Sequence, residues 1–379
     1  MTASPTLSSP AAPPAVSRGT MGVLAVLALA GAGAFIAGLA TADPARTWAI
    51  YLVNLVFWSG LSAAGPAIVG IMELMEARWG ANLKRLATTT VAFMPVSFVL
   101  LLLLFAGAPT LYPWIHEPLP AKAPWLNAPF FIARNGASLL ALYTVSLAFA
   151  RAVHRDGPRE RRVRLAVAML FLYVITLSLF GFDLVMSLAP EWYSALFGGF
   201  FVGGSLYAGF TFLVVLTALR SRGRPAGWLL PPPDMQDLAK LCFATSILWM
   251  YLFWSQYLVI WYGNIPEEVT FLRARFFHDP WRVLSFIVLV GGWLVPFGYY
   301  LKRLTGRPPL RHGPLVGFAT LGLVAVWLER FVLVVPSVAP AAATPLTVSD
   351  LLITAGFFAL FALAYRLFTP RLGLTRLEA

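Results

Sequence analysis

Asp183 is a carboxylate set in an apolar run, LSLFGFDLVMSLAPEW, about two turns before Pro190. A lone charge in such a run is costly unless it is paired, neutralised or wet. Tyr173, Thr176, Phe180 and Asp183 follow 3-4-3 spacing, so they share one face of a helix, and Ser187 extends it. That face suits a proton relay or a hydrogen-bond acceptor for a quinone ring. It equally suits a structural acid bonded across a helix bundle, or an interfacial acid.

Other groups could do related chemistry. Gln256 and Ser246 share a face with Trp249 and Phe253, while Met250, Trp254, Tyr257 and Trp261 lie opposite. Such walls hold a quinone head or lipid, or form an ordinary aromatic belt with packing. Asn54 stands above Ser62 and Gly65 in another apolar run, with Glu73 and Glu76 near its far end. These two acids could form a proton entrance, or pair with Arg78 or Lys84 as interfacial charges. Glu267 and Glu268 follow Pro266; as direct neighbours they cannot face the same way on a helix. One of them can meet solvent or Arg275, as a helix-capping and docking turn or as the outer mouth of a proton path. Glu329 and Arg330 are expected to end a helix and pair with another.

Metal and covalent chemistry find little support. Cys242 is the single cysteine, which excludes an internal disulfide, a CxxCH haem attachment and a cysteine-ligated cluster. The four histidines, His116, His154, His278 and His312, are expected in loops, so no bis-histidine haem site or other metal site is expected within the spans. The P-loop, HExxH, GxSxG and Rossmann patterns are missing from the sequence.

The elements that must position these groups are membrane spans. The chain has a mean hydropathy of +0.77, 59% hydrophobic residues and only 12% charged ones, too little polar surface for a soluble protein of 379 residues. Charge is nearly absent over 86–115, 165–182 and 192–219, each long enough to cross the hydrocarbon layer. The sequence predicts an all-α polytopic protein of about ten spans, near 20–41, 48–75, 87–107, 128–152, 163–188, 193–219, 237–261, 281–301, 313–333 and 348–367. With the N-terminus inside, 21 of the 28 Lys and Arg fall in inner segments and six in outer ones, which places both termini in the cytoplasm. The net charge of +12 is therefore an orientation signal, and nucleic acid is not an expected partner. Residues 1–19 and 368–379 are expected as cytoplasmic tails around a membrane domain over 20–367. The basic loops mark off possible bundles over 87–219 and 237–367, with the helices of 20–75 peripheral. Outer segment 108–127 is expected as an ordered interfacial cap, and 262–280 as a loop with a short surface helix.

Three segments carry a resemblance: APWLNAPFFIARN (123–135), GFDLVMSLAPEWYSALFGGFFVGGS (181–205) and MQDLAKLCFATSILWMYLFWSQYLVIWYGNIPEEVTFLRAR (235–275). Together they resemble the NrfD/PsrC polysulfide-reductase-like membrane subunits, most closely the second such subunit (ActF-type) of bacterial alternative complex III, over roughly residues 45–370. The resemblance implies two four-helix bundles plus two further helices in a bacterial inner membrane. It implies a subunit of a quinol:electron-acceptor oxidoreductase complex that supports quinol oxidation and proton translocation through buried carboxylates. Asp183, Glu73, Glu76, Glu267 and Glu268 are then the candidate proton path, and Asn54, Tyr173, Gln256 and Trp249 candidate contacts to menaquinone, ubiquinone or lipid. Implied partners are a sister NrfD-like subunit, a periplasmic iron–sulfur subunit, multihaem and monohaem cytochromes c, and in some assemblies a terminal oxidase. Haem and iron–sulfur clusters would reside in those partners, and catalysis by this chain alone is not expected. The quinol-site version of the family uses a membrane histidine, which no predicted span contains. The alternatives are that quinol-binding paralogue, a polysulfide-reductase-type anchor, and an independent transporter.

Overall fold

The computed structural model describes residues 18–40, 43–77, 79–221, 229–305, 311–339 and 345–374. The expected tails fall mostly outside them, as does Arg78. In chain order the helices are α1 (Arg18–Leu39), α2 (Pro44–Leu74), α3 (Ala81–Thr88), α4 (Met94–Leu111), α5 (Ala128–His154), α6 (Arg159–Leu179), α7 (Phe197–Ser221), α8 (Pro232–Gly263), α9 (Pro266–Phe276), α10 (Trp281–Ile287), α11 (Val295–Thr305), α12 (His312–Val338) and α13 (Val348–Arg371). A 3-10 segment, Thr89–Phe93, joins α3 to α4, and a π segment, Val288–Leu294, joins α10 to α11. α6 runs on through a π turn, Phe180–Val185, and a 3-10 turn, Met186–Leu188. Counting these joined pieces as single spans, ten helices are long and apolar enough to cross a membrane; α9 is a short addition. No strand forms among the described residues.

Local chemistry sets the helix starts. Asn127 caps α5 by accepting from the Phe130 N–H, and Pro129 sits in the first turn, where no partner for its nitrogen is needed. Asp43 caps α2 in the same way through the Arg46 N–H. Thr347 and Asp350 form a reciprocal capping box at α13. Two histidines expected in loops are helical: His154 closes α5, buried against Thr88 and the Arg85 carbonyl, and His312 opens α12. The helix extends through His154 because its ring finds those partners on α3.

The peripheral place expected for the helices of 20–75 is corrected for α2 by its packing. α2 is buried without a break from Thr47 to Gly70, packed against α4, α6, α7, α12 and α13. It is the centre of the molecule, not its edge. It touches spans from both halves of the chain, while α1 packs mainly on α13. The contact that takes α1 to α13 is a glycine pair: a Cβ on Gly31 would stand 2.5 Å from the Gly356 Cα, closer than any side chain tolerates. Loop lengths carry no trace of this pairing, because it joins opposite ends of the sequence.

Contacts between connections sort them onto two faces. On one, Lys122 donates to the Pro190 carbonyl, Trp192 stacks on Phe271 with centroids 3.8 Å apart, and Arg46 pairs with Asp350 at 2.7 Å. On the other, Arg85 pairs with Asp156 at 2.9 Å and Arg159 with Glu76. Ten alternating spans require this segregation.

Candidate functional site

Asp183 sits in the π turn of span five and is fully buried. Arg134 meets it at two points, Nε to Oδ2 at 2.6 Å and Nη2 to Oδ1 at 2.8 Å. Asn135 Nδ2 donates to Oδ2 at 2.8 Å and Trp125 Nε1 to Oδ1 at 2.9 Å. The guanidinium also lies over the Trp125 ring, 4.2 Å from its centroid, and donates to the Trp125 carbonyl. Trp125 and Arg134 come from the cap segment and the first turns of α5. The carboxylate is thus held by four donors, two of them from one planar fork, the strongest ion-pair geometry available. A proton on Asp183 would have to displace one of these donors.

The face predicted around Asp183 holds: Tyr173, Thr176, Phe180 and Ser187 are all buried with it. Tyr173 donates to the Val202 carbonyl of α7 at 3.4 Å, and Thr176 to the Ser138 carbonyl of α5 at 3.1 Å. Tyr112, from the cap, donates to the Leu184 carbonyl at 3.0 Å.

The other sequence-predicted residues are not gathered around Asp183. Glu73 is buried on the opposite face of the molecule, bound by Lys84 at 2.9 Å and Arg162 at 3.1 Å. Glu76, one turn on, is exposed and pairs with Arg159. Asn54 accepts from Trp327 Nε1 and donates to Thr354 Oγ1, each at 3.0 Å, tying α2 to α12 and α13. Glu267 is exposed and Glu268 half-exposed at the start of α9, and neither carboxylate makes an ion pair among the described residues. The expected contact of either acid with Arg275 does not form. Arg275 instead turns inward, donating to the Phe271 carbonyl at 2.8 Å, the Leu333 carbonyl at 2.6 Å and Ser337 Oγ at 2.7 Å. Burial pulls its guanidinium down to about 9 from the ordinary arginine value. It ties α9 to the last two turns of α12, at Leu333 and Ser337 on either side of Pro336.

Gln256 and Trp249 do come together, in a recess between α7, α8, α9, the α10 region and α12. Trp192, Phe271, Arg275, Ser285, Glu329 and Leu333 share its wall. The cavity volume is about 70 Å³ and its accessible wall is almost wholly apolar. Gln256 is fixed there by accepting from Ser194 Oγ at 3.0 Å and donating to the Leu252 carbonyl. Met250 and Tyr257, predicted opposite Gln256, line the same recess, whereas Trp254 and Trp261 of that predicted face are exposed.

Glu329 was missed as part of this wall, with Arg330 beside it in the chain. They lie within α12, well before its end, and pair with each other: Arg330 Nη1 donates to Glu329 Oε1 at 3.0 Å. Arg330 also lies over the Phe201 ring, 3.7 Å from its centroid, and donates to the Phe201 carbonyl. Gly204 permits this, since a Cβ there would meet Arg330 Nη2 at 2.9 Å. A signal was present in the sequence: two adjacent charges in the apolar run of span nine must either pair or face inward.

Fold and site together define an all-α, multi-pass membrane protein, with ten spans and polar groups clustered inside them. Among the described residues no group of His, Cys, Asp and Glu could hold a metal ion. No protein-family model matches the chain, and no curated protein is similar to it.

Proposed function

We infer that the chain is a membrane subunit of a quinol:electron-acceptor oxidoreductase complex, of the NrfD/PsrC-like kind found in alternative complex III. The observation that carries this reading is spatial. The three segments that bear the family resemblance are distant in sequence, yet they meet on one face of the helix bundle. Trp125 and Arg134 of the first segment bind Asp183 of the second; Trp192 and Ser194 of the second contact Phe271 and Gln256 of the third. Each segment is thereby part of one braced platform over the spans.

In this reading the platform faces the periplasm and receives the iron–sulfur and cytochrome partners, which carry the electrons. Quinol oxidation takes place beneath it, and protons leave through buried carboxylates. Asp183 acts there as the brace of the platform. Glu329 is the better proton carrier, since its buried carboxylate is met by Arg330 alone, whereas Asp183 is held by four donors.

The test is native purification in mild detergent through a tag on the C-terminus, with a visible spectrum and identification of co-purifying chains. Haem absorbance together with iron–sulfur and sister membrane subunits is the expected result. A stable, colourless chain that purifies alone would overturn the reading and favour an independent transporter.

A further inference from the structure

The hairpin between spans four and five carries more base than its own ion pairs use. Arg159 pairs with Glu76, Arg162 with Glu73, and Asp156 is taken by Arg85. Arg151, Arg155, Arg161 and Arg164 are left over. Each is exposed, and none forms an ion pair among the described residues. Glu160 is the one acid of the hairpin without an ion pair, and a single carboxylate cannot answer four guanidinium groups. Arg151 and Arg155 stand four apart at the end of α5, and Arg161 and Arg164 three apart at the start of α6. Like charges at these spacings are neighbours on a helix and destabilise it unless an anion lies between them.

The surface below the arginines narrows the kind of anion. On α6, Arg161, Arg164, Ala168, Phe171 and Ile175 follow 3-4-3-4 spacing and are all exposed, so the two bases head an apolar stripe. On α5, Ala137, Leu140 and Thr144 lead to Arg151 and Arg155 on one exposed stripe. Thr144 Oγ1 spends its hydrogen bond on its own helix, donating to the Leu140 carbonyl at 3.0 Å. α5 and α6 are consecutive spans packed against each other. Two lipid-facing stripes therefore end at one boundary of the bilayer, each in two arginines. A soluble anion would use the guanidinium groups and leave the stripes idle. A phospholipid uses both, since its phosphate accepts from the guanidinium forks while its acyl chains lie along the stripes.

We propose that the edge formed by α5 and α6 is a binding site for an anionic phospholipid, in the leaflet on the side of the Arg85–Asp156 pair. Arg151, Arg155, Arg161 and Arg164 hold the headgroup, and Leu140, Phe171 and Ile175 carry the chains. The site is a local one, distinct from the general excess of bases that orients the spans. It stands apart from the quinol reading and survives or fails without it.

The experiment uses the full chain, with whatever partners it retains, in phosphatidylcholine liposomes holding a trace of phosphatidylglycerol with a diazirine in its acyl chain. Photolabelling is followed by peptide mapping. Label is expected on peptides from 137–155 and 159–175, and replacing half of the phosphatidylcholine by unlabelled phosphatidylglycerol should reduce it about tenfold. The pairs Arg151→Gln with Arg155→Gln, and Arg161→Gln with Arg164→Gln, should each lower the label at least about tenfold, from about fivefold per arginine. The pairs lie on different helices and are exchanged separately, so a variant that does not assemble leaves the other to decide. Lys302→Gln removes an exposed base at the same boundary, at the end of α11, and should change the label by less than about twofold. Label that phosphatidylglycerol does not reduce would mean unselective lipid contact and overturn the proposal. An equal loss in Lys302→Gln would overturn it in favour of diffuse surface charge. Displacement by glycerol 3-phosphate in the buffer would make the arginines a soluble-anion site, and label that appears only after partner chains are stripped away would make them a protein interface; either result sinks the lipid site.

Discussion

Arg134 and Asp183 form a two-point ion pair in which the arginine is nearly buried and the aspartate wholly so, with side-chain exposures of 7% and 0%. Breaking such a pair strands the remaining charge, which costs about 3–5 kcal/mol, whereas removing both charges costs far less. Asp183→Asn and Arg134→Gln should each lower the thermal midpoint in detergent markedly, and the double variant should recover a large part of the loss. A variant Asp183→Asn that keeps its midpoint but loses turnover in the assembled complex would instead make Asp183 a proton carrier.

The two acids at the far end of α2 should separate cleanly. Glu73 neutralises Lys84 and Arg162 while itself buried, so Glu73→Gln should cost about 2–3 kcal/mol. Glu76 and Arg159 are exposed at 65% and 61%, and Glu76→Gln should stay within about 1 kcal/mol. Chemical denaturation of the two variants side by side decides it. Equal losses would show that Glu73 is better hydrated than its burial implies.

Gly31 and Gly33 offer a matched pair. A side chain on Gly31 would meet the backbone of α13, while nothing stands within 4 Å of one on Gly33. Gly31→Leu should cost about 1–3 kcal/mol through forced separation of the helices, and Gly33→Leu almost nothing. Thermal scans of both variants test this. Equal behaviour would mean that α1 can slide along α13.

Sidedness follows from the charge bias. On a Cys242→Ala background, Tyr262→Cys at its 85% exposed position should react with an impermeant maleimide on intact cells. Glu160→Cys, in the first turn of α6, should react only after permeabilisation. The reverse pattern would invert the orientation and place the braced platform in the cytoplasm.

Much of the fold was legible because it depends on local hydropathy. All ten spans were read correctly, with ends displaced by up to a turn or two, as at α3, which starts at Ala81 rather than 87. What hydropathy cannot carry is which span touches which. The placing of α2 at the centre depends on contacts with five other helices. Asp183 stood out because a carboxylate in an apolar run must be answered, yet its answer, Arg134, lies 49 residues earlier and was counted only among the bases of the outer side. Arg275 was misplaced for a related reason. The acids and bases of α9 made it look like a surface helix, although Phe271 and Leu272, four and three residues before Arg275, mark one buried face. The recess was legible only in part, through Trp249, Phe253 and Gln256 of α8, since the rest of its wall comes from elements far apart in the chain.

The glycine contact between α1 and α13 bears on how the chain is made. α1 leaves the ribosome ahead of every other described span, and the helix it packs on leaves last. Until α13 arrives, α1 has little to hold it but lipid and a short edge of α2. Insertion into the bilayer and completion of the fold are therefore separate events for this helix. A chain halted before Val348 would leave its first span adrift at the rim, a ready handle for membrane quality control.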